Sequence, residues 1–109
     1  DILGVSRERI LEALRAEGVP SLMSGYQNLH MLPMFRHKIA YGTKGFPWNS
    51  PYCSNNIQYG IGLCPVAERL HSKTFLGLNI CMNELSPEDV ALIIQAFHKV
   101  WRHLNLLKG

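Results

Sequence analysis

Apolar residues first recur at helical spacing near the start of the chain. Ile10, Leu11 and Leu14 form a stripe between charged neighbours, which predicts a helix over residues 7–17. Ser6 stands where an N-cap side chain accepts a backbone N–H, and Gly18 where a left-handed residue ends the helix. Residues 19–26 then alternate imperfectly, the mark of a short strand. A clearer alternation comes later, with Leu76, Leu78, Ile80 and Met82 separated by Gly77, Asn79 and Cys81, and predicts a second, half-buried strand. Ahead of it Pro65 opens a helix, because its missing N–H costs nothing in a first turn; Val66, Ala67, Leu70 and Thr74 are expected to face inward. The last helix has the fullest signature. Ser86 is its cap, Pro87 its first residue, Asp89 the carboxylate of a capping box, and Leu85 and Val90 are spaced as a hydrophobic staple. Val90, Ile93, Ile94, Phe97, Val100, Trp101 and Leu104 recur along one broad face.

Residues 36–63 break this regularity. Gly42, Gly45, Gly60 and Gly62, with Pro47, Pro51 and Ser54-Asn55-Asn56, are turn formers too dense for a regular element. A connection of this length in a small domain is usually functional or disordered, and Tyr41, Phe46, Trp48, Tyr52 and Tyr59 favour function, since rigid rings dock at little entropic cost. The order helix, strand, long loop, helix, strand, helix predicts one α+β domain over residues 1–109. It is a two-layer small domain, with helices packed on one face of a short, mainly antiparallel sheet. Two strands are few for independent stability, so a further strand is expected before Asp1.

Composition narrows the function classes. The chain has 109 residues, one domain's worth, and its 47% hydrophobic against 17% charged content excludes global disorder. So few charges leave apolar surface for a partner domain or subunit to cover. The net charge of +3 is scattered: Arg7, Arg9 and Arg15 alternate with Glu8, Glu12 and Glu17. Lys99, Arg102, His103 and Lys108 gather where the last helix dipole favours cations. No basic stripe for nucleic acid forms. Cys53, Cys64 and Cys81 include no C-x-x-C pair, which points to a reducing, cytoplasmic compartment and away from a disulfide framework or zinc. No apolar run is long enough to span a membrane. The opening Asp1-Ile2-Leu3-Gly4 is unlike a signal peptide and lacks Met, as in a trimmed or excised chain.

Conventional catalytic signatures do not occur. Tyr41-Gly42-Thr43-Lys44-Gly45 lacks the phosphate-loop order, and Lys44 reads as a solvated charge at a glycine turn. The five histidines form no metal-binding spacing. The stretch Ser24-Gly25-Tyr26-Gln27-Asn28-Leu29-His30-Met31-Leu32-Pro33 carries the sharper expectation. It leaves a strand end, and Tyr26 and His30 are each able to donate one hydrogen bond to an oxygen-rich ligand. The plainer alternative packs Tyr26 on the last helix and gives His30 a turn carbonyl.

Ser6-Arg7-Glu8-Arg9-Ile10-Leu11-Glu12-Ala13-Leu14-Arg15-Ala16-Glu17-Gly18-Val19 resembles the opening of the C-terminal small domain of the DegT-type sugar aminotransferases, fold-type I enzymes dependent on pyridoxal phosphate. The resemblance continues through Gly25-Tyr26, Leu29-His30 and Pro33-Met34-Phe35, resumes at Cys64-Pro65-Val66-Ala67-Glu68-Arg69-Leu70, and returns at Leu85-Ser86-Pro87-Glu88-Asp89-Val90. It implies amino transfer from glutamate or glutamine to a nucleotide-linked ketosugar or a keto-cyclitol. The cofactor, its Schiff-base lysine and the acid facing the pyridine nitrogen then belong to an N-terminal large domain outside this chain. This chain would hold no catalytic residue and bind no pyridoxal phosphate alone. Tyr26 and His30 become substrate-side residues, although Gln27 and Asn28 replace two prolines common in relatives. Gly45-Phe46-Pro47-Trp48 resembles a subgroup's cover over the sugar, making Phe46 and Trp48 lid contacts. A homo-oligomer is also implied. Two other readings stand beside this one: a free-standing interaction or regulatory module of the same fold, and a small-ligand domain in which Tyr26, His30 and Trp48 converge.

Overall fold

The computed structural model describes residues 4–54 and 56–108; Asp1, Ile2 and Leu3 of the opening, Asn55 of the polar stretch and Gly109 lie outside the described residues. Ser6 accepts the Arg9 N–H at 3.3 Å and starts α1 (Arg7–Ala16). The helix closes in a Schellman turn. Gly18, at φ +86°, donates to Arg15 O, and Val19 donates to Leu14 O, both at 3.0 Å. Ile10, Leu11 and Leu14 are buried, so the apolar stripe faces the core as its spacing requires.

Two short strands follow from what interrupts them. β1 (Leu22–Met23) pairs antiparallel with β2 (Gly77–Leu78), with Leu22 opposite Leu78 and Met23 opposite Gly77. The expected strands over 19–26 and 76–82 are therefore cut to two residues each. Pro20 has no N–H for a ladder, Ser21 sits at φ +53° and Gly25 at φ +135°, so β1 cannot extend in either direction. Beyond β2 the chain turns, with Asn83 N–H reaching Ile80 O, and Ile80 and Met82 stay 42% and 78% exposed instead of half-buried. Gly77 leaves room for Met23 across the register: a Cβ there would lie 2.7 Å from Met23 Cγ and force that side chain to shift.

The capping box of α4 (Pro87–Arg102) is complete. Ser86 Oγ accepts the Asp89 N–H at 3.1 Å, and Asp89 Oδ2 accepts the Ser86 N–H at 2.9 Å. Hydrogen bonds from the Ser86 hydroxyl and then its N–H hold the Asp89 carboxyl below its ordinary value, against a smaller opposing effect of burial. The buried line of α4 runs through Ala96 and Val100, flanked by Ile93 and Phe97. Val90, Ile94 and Trp101, expected on the same inward face, are 41%, 51% and 44% exposed. The short sheet and the single neighbouring helix cover a narrower stripe than those residues span.

Two compact units result. The first comprises Asp1–Gly25 and Lys73–Gly109, the second Tyr26–Ser72. The first unit is a small, open α+β arrangement in which helices pack against a two-stranded antiparallel sheet. Its core joins Val5, Ile10, Leu14 and Val19 to Ala96 and Val100. Lys99 pairs with Glu17 at 2.7 Å between α4 and the end of α1, and Arg9 donates to Leu107 O at 3.0 Å in the closing turn Leu104–Leu107.

The second unit holds a 3₁₀ turn (Leu29–Met31), α2 (Pro33–Arg36), a long glycine-rich loop and α3 (Pro65–Arg69); a π turn (Leu70–Thr74) follows α3 and ends in the first unit's part of the chain. Val66, Ala67, Leu70 and Thr74 do not form the expected inward face; all four are exposed. Five helical residues followed by a wider π turn carry the side-chain rows out of register, so no continuous apolar stripe survives. The unit's interior is aromatic instead. Phe35 meets Trp48 edge-on at 6.0 Å and Tyr59 at 5.4 Å, and Trp48 Nε1–H donates to Tyr59 Oη at 3.3 Å. Among the described residues no helix is long and apolar enough to cross a membrane.

Candidate functional site

The site is built around His30. Met31 N–H to Asn28 O closes the 3₁₀ turn, and Pro33 begins α2 directly after it. This geometry turns the imidazole of His30 inward, and the residue is only 8% exposed. A buried polar ring needs a partner. Glu68 provides it: Nε2 lies 2.8 Å from Oε1.

Glu68 is more than the partner of one ring. Sitting on the first turn of α3, it points back over the residues that precede the helix. Gly62 N–H reaches its two oxygens at 2.9 and 3.0 Å, and Cys64 N–H reaches Oε1 at 3.1 Å. Gly62 adopts φ +92°, which brings its N–H to the carboxylate. The Gly62 N–H does most to hold the carboxyl below its ordinary value; burial opposes it, while the Cys64 N–H and His30 add to the lowering. One carboxylate therefore joins the 3₁₀ turn, the glycine turn and α3. Its spacing from Cys64 was legible as an acid in the first turn of a proline-opened helix. Its pairing with His30, 38 positions away, was not.

Tyr26 is placed differently. It is 81% exposed, which leaves its hydroxyl available to a ligand and its ring unburied. His30 Nε2 is instead engaged with Glu68, and its partner is this carboxylate and not the turn carbonyl of the plainer alternative. Phe46 is 51% exposed and leans on Tyr41, ring to ring at 6.1 Å, across the Gly42–Gly45 turn. Trp48 is half-buried and lines a shallow cavity of about 310 Å³ with Lys38, Asn49 and Asn56, where Lys38 Nζ donates to Asn56 Oδ1 at 3.3 Å. Tyr26 and His30 do not line that cavity, so the three residues of the small-ligand reading do not converge there.

Comparison with protein-family models, curated proteins and solved structures gives no match for this chain.

The side chains themselves define what chemistry the chain can supply. Among the described residues no three His, Cys, Asp or Glu side chains group to hold a metal ion. Among the described residues no lysine is buried; Lys44 stands exposed at its glycine turn, and Lys99 pairs with Glu17. These residues present an exposed phenol, a clamped imidazole and half-exposed aromatic faces.

Proposed function

We propose that this chain is the substrate-covering small domain of an aminotransferase acting on a nucleotide-linked ketosugar or keto-cyclitol, with glutamate or glutamine as amino donor. It is inactive without an N-terminal large domain that carries pyridoxal phosphate. One observation carries the reading. Leu29-His30 and Cys64-Pro65-Val66-Ala67-Glu68-Arg69-Leu70, two separate segments of the resemblance to sugar aminotransferases, meet in the 2.8 Å pair of His30 with Glu68. Chance matches scattered along a chain have no reason to share a part-buried contact.

Bound in the large domain, pyridoxal phosphate supplies the electron sink for amino transfer. The part left to this chain is to bind and orient the acceptor and to exclude water. Tyr26 and His30 face the acceptor, and Phe46 and Trp48 act as lid contacts. The exposed Ile94 and Trp101 support cover by the large domain or a second subunit. A cytoplasmic setting, with Cys53, Cys64 and Cys81 reduced, belongs to the same proposal.

The test is expression of the parent reading frame with pyridoxal phosphate, followed by assay with nucleotide ketosugars and glutamate or glutamine. Cofactor absorbance and amino transfer are expected, and His30→Ala should raise the acceptor KM by about tenfold, the loss of roughly one strong hydrogen bond, with cofactor absorbance unchanged. Equal loss of both would show that His30 serves the cofactor side. A native frame encoding these residues alone, forming a stable assembly without cofactor absorbance, would replace the proposal with an interaction module of the same fold.

A further inference from the structure

We infer that Glu68 is the positioning residue of the site: it accepts the His30 Nε2–H, so that whenever the ring is neutral Nδ1 is left as an outward hydrogen-bond acceptor. This rests on the reading of His30 as substrate-side, and it specifies the chemistry met there. The ligand group met by the neutral ring is a hydroxyl or N–H donor, such as a sugar hydroxyl, rather than a carbonyl or phosphate oxygen.

The steps follow from the contacts. An ionised carboxylate only accepts hydrogen bonds, and Glu68 is kept ionised by the Gly62 and Cys64 N–H groups that point at it. The hydrogen in the 2.8 Å contact therefore comes from His30 Nε2. A neutral imidazole carries one N–H, so Nδ1 keeps its lone pair. Among the described residues Nδ1 has no hydrogen-bond partner, yet no buried side-chain nitrogen or oxygen there lacks one. It must then open to solvent, on the small exposed edge of a ring that is otherwise covered. A donor arriving at that edge finds a lone pair. A phosphate or carbonyl oxygen finds repulsion.

Glu68 is suited to this task because it cannot swing away easily. Its backbone lies in α3, and its oxygens are tied by two amides in addition to the ring.

The tautomer is read directly by long-range ¹H–¹⁵N correlation NMR of the ¹⁵N-labelled 109-residue chain, above the pH at which the ring titrates and without cofactor or substrate. The Nε2–H form should exceed the Nδ1–H form by about tenfold or more, the weight of one charge-assisted hydrogen bond. Glu68→Ala should return the ratio to that of a free histidine while far-UV circular dichroism stays native. A dominant Nδ1–H form in the unmutated chain, or an unchanged ratio in natively folded Glu68→Ala, would overturn the inference. The measurement needs no enzyme activity, so its failure is distinct from failure of the aminotransferase reading.

Discussion

Glu68 shows how one side chain can tie a 3₁₀ turn, a glycine turn and a helix together. Four hydrogen bonds converge on its carboxylate, from Gly62 to both oxygens and from Cys64 and His30 to one. Their effect on pH dependence has a definite sign. The folded carboxyl titrates below its ordinary value of 4.5, so the stabilisation it contributes is complete above that value. It is lost as pH falls through the lower folded value. Acid titration followed by the Gly62 and Cys64 amide resonances should therefore show a single transition below 4.5, and Glu68→Gln should remove it. A transition at or above the ordinary value would mean that the amides do not hold the carboxylate in solution.

At the scale of elements, the two long helices owe their ends to local chemistry. Ser86 and Asp89 satisfy each other's backbone donors at the start of α4, as Ser6 does for Arg9 at α1. Ser86→Ala should cost roughly 1 kcal/mol, seen as a lower urea midpoint with unchanged slope. A shift no larger than that of an exposed mid-helix substitution would show that the cap is redundant. The strands depend on longer-range fit. Gly77 has Met23 Cγ 2.7 Å and Phe75 Cε1 3.0 Å from where a Cβ would sit, so even alanine must displace both side chains. Helices α1 and α4 were legible because their caps and periodicity lie within a few residues. The strands and α3 were over-extended because alternation does not reveal a left-handed Ser21 or a π turn at Leu70.

At the scale of the whole molecule, two interiors of different chemistry coexist in 109 residues. Asp1–Gly25 with Lys73–Gly109 packs aliphatic side chains around Leu14, which has no exposed surface. Tyr26–Ser72 relies on Phe35, Trp48 and Tyr59 and on the Glu68 clamp. Leu14→Ala should destabilise by about 2–5 kcal/mol, a large part of a small domain's total, measured by urea unfolding with far-UV circular dichroism. A loss below about 1 kcal/mol would mean that Leu14 is not central to that core.

The amino-acid pattern by itself determined the α+β class, both long helices with their caps, and the turn-rich character of the loop, because each depends on neighbours in sequence. It also singled out Tyr26 and His30 by residue type. Only the tertiary structure decided that these two have opposite surroundings, one exposed and one clamped, and that Ala96 rather than Ile94 or Trp101 lies at the centre of α4's buried line. Burial and hydrogen-bond roles are set by which distant segments meet, and a carboxylate 38 positions from an imidazole leaves no local trace of the proton it will accept.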